Sequence, residues 1–396
     1  MSSQRVRTRP PVASVSFEAR AFPLAFPFAI TGSRQEEAAC VFVRVTDEEG
    51  NEGWGEASPL PVVTGDSVPS ALAFLSAHGP ELVGLDVDAA AHTVHARLRP
   101  AHHAHATSAL CALEAACLDL KARRLGVPLR SVLHTGVLEH VETDITVPAL
   151  SVDELAAFWP HFEHHGFRVH KVKVTGASRD DDLQRAMEAA ARLPTGGSLV
   201  LDGNQGFDVD GALALVDDLG ERGVAVRFFE QPLPRDDARG LRALMDRCPV
   251  PVCLDESVRS VVELTQHLAL SRRFLVNLKI MKSGVQECLA MGLVARAHGV
   301  GLMIGGMMET DLAMACSLQL CAALGGVDVC DLDTPFYLRE QACNGSPWSE
   351  ASAFLRVPTG AGVGLRPRSF GGQDIETIGI FPPSLTSRGQ TGFQVD

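Results

Sequence analysis

The chain has 396 residues with 46% apolar and 21% charged content, an ordinary globular composition long enough for two hydrophobic cores. Its net charge of −13 argues against nucleic acid, which rewards clustered Lys and Arg through counterion release. Met1 to Pro11 carries Arg5, Arg7 and Arg9 but no apolar core of signal-peptide length follows, and no apolar run is long enough to cross a membrane. The ten cysteines stand singly in mostly apolar stretches and never as C-x-x-C, which reads as buried reduced thiols and a cytoplasmic protein.

From Ala13 to Glu56 the pattern is strand-like, with an apolar run at Cys40–Val45, a turn at Asp47–Gly50 and a second strand toward Trp54. The stretch Ser108–Leu125 is an Ala/Leu-rich helix stopped by Gly126 and Pro128. Residues 1–135 therefore read as an α+β domain, and His134–Glu142 as a linker. Strands and helices then alternate, which favours parallel βα units through residue 355. The strands are expected at Thr143–Val147, Val169–Val174, Leu199–Asp202, Val226–Glu230, Val252–Asp255, Phe274–Ile280, Leu302–Gly305 and Val327–Asp331. Eight is the barrel number. Ser151 and Glu154 fit a capping box, with Gly166 closing that helix. Residues 356–396 form a C-terminal segment that helps complete the first domain, and Pro367–Asp396 reads as an aperiodic tail.

Lys173, Asp202, Glu230, Asp255 and Lys279 recur at gaps of 29, 28, 25 and 24 residues, each at or near the end of an apolar run. Such spacing is about one strand plus one helix plus two loops, so a barrel would gather the five at one mouth. Three carboxylates brought together need a cation to hold them, and all-oxygen ligation points to Mg²⁺, with Mn²⁺ as the alternative. Side-chain alternation aims Lys171 and Lys173 the same way, and their mutual repulsion should lower an amine pKa toward that of a working base. The same alternation pairs Asn277 with Lys279. His102, His103 and His105 read as a solvated surface rather than a metal tract, and His164 and His165 as the end of a helix. His170 is expected to face outward. No nucleotide-binding fingerprint follows any strand.

The order Lys171-Val172-Lys173, Asp202-Gly203-Asn204-Gln205-Gly206, Glu230-Gln231-Pro232, Asp255-Glu256-Ser257 and Asn277-Leu278-Lys279 through Lys282-Ser283-Gly284 resembles the enolase superfamily, muconate-lactonizing subgroup, over roughly Phe22 to Gly364. The resemblance implies a modified (β/α)₇β TIM-type barrel under an N-terminal α+β capping domain, with Mg²⁺ on Asp202, Glu230 and Asp255. It makes Lys173 and Lys279 the acid/base pair on opposite substrate faces, with Lys171 assisting. Gly305-Gly306-Met307-Met308-Glu309 and Asp331-Leu332-Asp333 look like the dipeptide epimerases of this subgroup, where the D-x-D pair binds the free ammonium of a dipeptide. The implied partners are therefore a small dipeptide and a second copy of the chain in a homo-oligomer.

In that family, cap loops select the side chain, here Pro23–Arg34 and the segment around Val62–Asp66. The first offers Phe26, Phe28 and Ile30, with Gly32 near where a glutamate-selecting cation would stand and Arg34 a little later, so an apolar second residue is at least as well served as the glutamate of L-Ala-D/L-Glu. Phe26, Ile30 and Met307 are accordingly candidate substrate contacts. o-Succinylbenzoate synthase, N-acylamino acid racemase and muconate cycloisomerase share the barrel chemistry. The D-x-D pair argues against them, because an acylated amine carries no charge to bind. A scaffold protein would have no use for both lysines and all three carboxylates.

Overall fold

The computed structural model describes residues 10–30, 33–136 and 138–369. Gly32, Arg5, Arg7, Arg9 and all but the start of the expected tail lie outside them.

The first domain is a three-stranded antiparallel sheet of β1 (Val12–Ile30), β2 (Ser33–Asp47) and β3 (Glu52–Ala57) with helix Thr107–Leu125 laid across it. That helix is buried along nearly all its length, which explains why its Ala/Leu pattern has no polar stripe. It approaches β3 so closely that a Cβ on Gly53 or Gly55 would fall 2.1 or 2.0 Å from the carbonyl oxygens of Ala116 or Ala112. Of Pro23–Arg34, expected as a loop, Pro23–Ile30 and Ser33–Arg34 are instead the distal strands of the β1–β2 pair, with Phe28 opposite Gln35 and Ala29 opposite Arg34. Pro23 and Pro27 fall at a register irregularity between Pro23 and Phe28, where a strand tolerates a missing N–H donor. The segment Val62–Asp66 contributes to a short helical turn, Pro61–Thr64.

A two-stranded ladder then leads into the barrel: β4 (His140–Glu142) is a strand where a linker was expected. The barrel strands are β5 (Ile145–Val147), β6 (Val169–Lys173), β7 (Ser198–Asp202), β8 (Val226–Glu230), β9 (Val252–Leu254), β10 (Phe274–Leu278), β11 (Gly301–Ile304) and β12 (Val329–Cys330), all parallel and in sequential order. A parallel bridge between Thr143 and Cys330 joins the two edges. Seven α-helical crossovers separate the eight strands, and a 3₁₀ turn, Thr334–Tyr337, follows the last. This is the (β/α)₇β arrangement under a cap. Finally, β13 (Phe354–Arg356) pairs with β4, and Gly362 and Val363 hydrogen-bond to Val127, Leu129 and Asp119, tying the C-terminal segment to the first domain.

Inward side chains fill the barrel floor: Val200, Phe228, Cys253, Leu275, Met303 and Val329 form an apolar layer beneath the charged mouth. The first crossover helix has the expected capping box at Ser151 and Glu154 but ends at Phe158. A 3₁₀ turn, Trp159–His161, intervenes because Pro160 lacks the N–H an α-helix needs, so Gly166 closes a later turn. His165 correspondingly stacks on Phe167 rather than ending that helix. His170 does face outward from the lumen, yet it is buried, with Nδ1 3.0 Å from the Ala189 carbonyl.

Two cap glutamates join the domains by the same device. Glu56 at the end of β3 accepts the Thr310 and Ala313 N–H groups at the start of helix Asp311–Leu324. Glu114 accepts the Val285 N–H that opens helix Val285–Ala297. Each satisfies backbone donors that a helix leaves unpaired at its N-terminus and faces the positive end of its dipole.

Candidate active site

Parallel register brings the charged residues level. Lys173 is paired with Asp202, and Asp202 with Glu230, so three adjacent strands end in one row of ionisable side chains. Asp255 follows β9 directly and Lys279 follows β10. Lys173 and Lys279 therefore stand on strands flanking the three acidic ones, on opposite sides of the cluster. All five side chains are buried.

The local backbone is held firmly. Gln231, at φ +30°, adopts a conformation non-glycine residues rarely take, directly after Glu230. Its side chain explains the strain: Oε1 accepts the Asp255 and Ser257 N–H groups at 2.9 and 3.1 Å, while Nε2 donates to the Leu233 carbonyl and Ser257 Oγ. One amide thus fixes the loop that carries Asp255. Lys282 Nζ donates to the Asp255 carbonyl and Oδ1 at 2.5 and 2.6 Å, and Asn277 Nδ2 to Glu230 Oε1 at 2.7 Å.

The charges neutralise one another. Lys173 Nζ lies 2.6 Å from Asp202 Oδ2 and 3.2 Å from Asn204 Oδ1. Lys279 Nζ lies 2.7 Å from Asp255 Oδ2. Lys171 Nζ reaches Asp331, Glu230 and Asp202 at 2.6, 2.9 and 3.1 Å. Burial alone would pull the Lys171 amine down, but Asp331, Glu230 and Asp202 outweigh it and hold the ammonium well above its ordinary range. The lowering expected from two neighbouring lysines is overridden, since the carboxylates stand closer and are more numerous. Burial and the neighbouring carboxylates raise Glu230 to about 7, whereas Lys173 and Lys171 overcome burial at Asp202 and bring it to about 2.

Asp202, Glu230 and Asp255 are the donor set a divalent cation would use, although here lysine ammoniums pair with them and the carboxylates whose oxygens close to within 4.8 Å of one another are those of Asp144, Asp331 and Asp333. The set is all oxygen, buried and crowded enough to push Glu230 toward neutrality, and Glu230 Oε2 has the Lys171 ammonium 2.9 Å away as its ion-pair partner.

Asp331, which lines the mouth, and the fully buried Asp333 lie close together beside β5. Thr146 supplies its hydroxyl to Asp331 Oδ1 at 3.2 Å and its N–H to Asp333 Oδ2 at 2.5 Å, leaving Asp333 Oδ1 buried without a hydrogen-bond partner. Burial and Asp331 raise Asp333 to about 7. Asp144 lies one step below on the same inward face, within 4.8 Å of both by carboxylate oxygen. Thr146 and Asp144 escaped the sequence reading, although inward alternation along Asp144-Ile145-Thr146 was there to find them.

Phe28, Ile30, Leu60, Val63, Met307 and Met308 form the apolar wall of the mouth, with the lysines opposite. Phe26 is not part of it. Its ring packs on Phe158, His161 and Phe162. Phe28 takes the position expected of it, 6.0 Å from Lys173 Nζ and edge-on to Tyr337. Arg34 is turned away in a surface pair with Glu36 and Glu154. Among the described residues, no arginine lines this pocket.

Residues 154–370 match the family model for enolase C-terminal domain-like proteins, and residues 13–133 that for the mandelate racemase / muconate lactonizing enzyme N-terminal domain. The chain belongs to the enolase superfamily. Within that superfamily it is 36% identical over 354 residues to an aromatic dipeptide epimerase of Herpetosiphon aurantiacus, covering 89% of this chain and 98% of the relative. It is 35% identical to a hydrophobic dipeptide epimerase of Citrifermentans bemidjiense, covering 87% and 95%. A dipeptide epimerase from Enterococcus faecalis, solved with Mg and L-Leu-L-Tyr, superimposes with a TM-score of 0.82 at 25% identity, covering 90% of this chain and 99% of that one. No helix among the described residues is long and apolar enough to cross a membrane, and all ten cysteines are free and buried.

Proposed function

We propose that this protein is a Mg²⁺-dependent dipeptide epimerase that inverts the α-carbon of the C-terminal residue, with preference for an apolar side chain there. The observation that carries the reading is the pair of buried lysines on strands either side of three buried carboxylates, with Asp331 lining the same mouth and Asp333 buried beside it.

Asp331 and Asp333 receive the dipeptide's ammonium group. Two carboxylates, one with an unused buried oxygen, suit an ammonium better than an acylated amine, which favours a dipeptide over N-acylated amino acids. Asp202, Glu230 and Asp255 would hold Mg²⁺, which supplies fixed positive charge beside the substrate carboxylate, where negative charge grows as the α-proton leaves. Lys173 on one face and Lys279 on the other remove and return that proton, exchanging roles for the opposite epimer. Lys171, locked among Asp331, Glu230 and Asp202, keeps its proton and adds a positive charge that does not titrate. Phe28, Ile30, Leu60 and Met308 exclude water and take an apolar side chain, whereas a glutamate side chain would meet no cation on that wall.

The names of the relatives, aromatic and hydrophobic dipeptide epimerase, support the same preference. The ten buried thiols support a cytoplasmic setting, and a homo-oligomer remains part of the proposal. The test is a dipeptide library incubated with the Mg²⁺-loaded enzyme in deuterated water and read by mass spectrometry. Label at the C-terminal α-carbon of Ala-Phe or Ala-Leu class dipeptides is expected. Label confined to N-acylated amino acids would overturn the reading.

A further inference from the structure

Outside the barrel mouth, a cleft of about 770 Å³ runs between the cap and the loops that follow β8, β9 and β10. Its cap wall carries His95 and Arg99, and its barrel wall carries Arg235, Arg259 and Ser283. The cleft's acidic groups are already committed. Glu263 accepts from Arg235 at 3.0 Å and from the Arg259 N–H at 2.6 Å, and Glu287 accepts the Val261 N–H at 2.7 Å. Lys282 is spent on Asp255.

Several donors are not committed. Among the described residues, Arg259 Nε is buried with no hydrogen-bond partner, and its guanidinium makes no ion pair within 4.0 Å. Arg99, 8% exposed, keeps an unpartnered Nε while its Nη2 faces its counter-charge, the buried Glu114, at 3.5 Å. Ser283 Oγ, on a residue 1% exposed, is also unpartnered. Three segments distant in sequence thus bring unsatisfied donors to one cavity of a chain whose overall charge of −13 repels anions.

We infer that this cleft is a binding site for a small organic oxyanion, a carboxylate or a phosphate monoester with an apolar body, held by Arg259, Arg99 and Ser283. Guanidinium groups match the planar and tetrahedral oxyanions in geometry, and Val262, 67% exposed on the same wall, offers apolar surface beside them. The site has a built-in connection to the mouth. Arg259 lies on the loop fixed by Gln231 that begins at Asp255, and Ser283 ends the turn that begins after Lys279. An anion bridging both to Arg99 would fasten the cap to the two loops that carry the chemistry.

The test is calorimetric titration of the Mg²⁺-loaded protein with phenyl phosphate and, separately, benzoate, at constant ionic strength. Wild type is expected to bind one or both saturably and to melt at a higher temperature when bound; the tighter probe identifies the ligand class. Arg259→Gln and Val262→Glu, the second an exposed position that does not threaten folding, should each weaken binding at least about tenfold, equivalent to about 1.4 kcal/mol, while dipeptide turnover without the anion is unchanged. Binding of equal affinity in wild type and both variants would place the anion at the metal site instead and overturn the inference, as would the absence of saturable heat from either probe.

Discussion

Glu114→Ala isolates the joint between cap and barrel. Glu114 is fully buried, accepts the Val285 N–H at 2.7 Å and Gln286 Nε2 at 2.9 Å, and lies 3.3 Å from His95 Nδ1 and 3.5 Å from Arg99. Burial alone would raise this carboxyl, but His95 and Arg99 outweigh it and hold it below its usual range. Truncation leaves a helix N-terminus uncapped, a loss of about 1 kcal/mol, and strands Arg99 in a buried site without its counter-charge, a loss of about 3–5 kcal/mol. The two overlap, so the expected total is about 3–5 kcal/mol. At about 2 °C per kcal/mol for a chain of this size, the melting midpoint should fall by about 6–10 °C. Glu114→Gln, which keeps one acceptor but loses the charge, should cost less, and its gap from wild type should close as pH falls below the ordinary glutamate value of 4.5 and wild-type Glu114 itself becomes protonated. Because Val285 follows the turn after Lys279, kcat/KM should fall along with stability in the Ala variant. The assay is a calorimetric melt with parallel epimerisation rates. A midpoint shift under about 2 °C would show that the joint contributes no more than an average surface contact and refute the reasoning.

Other positions give independent readouts. Asp333→Asn removes one of two charge-assisted acceptors and should raise KM for a free dipeptide by about 10–100-fold while leaving turnover at saturation largely intact; an unchanged KM would remove Asp333 from the ammonium site. Burial lifts Glu309 from 4.5 to about 8, and its Oε2 has no hydrogen-bond partner among the described residues, so the folded protein holds it neutral. The unfolded chain releases that proton first, so stability declines as pH rises from about 4.5 to about 8, by up to about 5 kcal/mol, and levels off above. Glu309→Gln should therefore melt progressively higher than wild type across that window, and a constant difference would contradict the assignment. Ala-Phe should exceed Ala-Glu in kcat/KM by about tenfold or more, and Ile30→Arg should narrow the ratio; parity in wild type would count against an apolar pocket.

The barrel was legible because parallel strands buried on both faces read as short apolar runs, five of them with a charged residue at or near their ends at nearly constant spacing. Every expected barrel strand is present: Val226–Glu230 unchanged, Leu199–Asp202 extended to Ser198, Leu302–Gly305 shifted by one residue, and the others trimmed by one to three residues. Val327–Asp331 shrank to Val329–Cys330, although the Asp328 and Asp331 N–H groups still donate to the Leu302 and Ile304 carbonyls of the neighbouring strand. In the cap, the strand-like pattern of Ala13–Glu56 held through β1 and β2, while the loop that the family resemblance put at Pro23–Arg34 is strand on both sides of a register irregularity. β4 was missed because its partner lies some two hundred residues downstream, beyond the reach of any local pattern. At the site, charged residues at strand ends were readable one by one, but the direction of the Lys171 shift was not. Two adjacent lysines suggest repulsion in sequence, whereas the fold surrounds one of them with three carboxylates drawn from three other strands. Phe26 was placed in the pocket by proximity to Phe28 and Ile30, and only the helical segment Val152–Phe158 beside it shows why it packs elsewhere.

Two-base proton transfer across the dipeptide's α-carbon is tested most directly by following solvent deuterium with Lys173→Ala and Lys279→Ala, each Mg²⁺-loaded and given each epimer in turn. Each variant should lose epimerisation, with Lys173→Ala exchanging the α-proton of one epimer only and Lys279→Ala that of the other. Epimerisation retained by both variants, or exchange of the same epimer by both, would contradict the placement of the two lysines on opposite faces of the substrate.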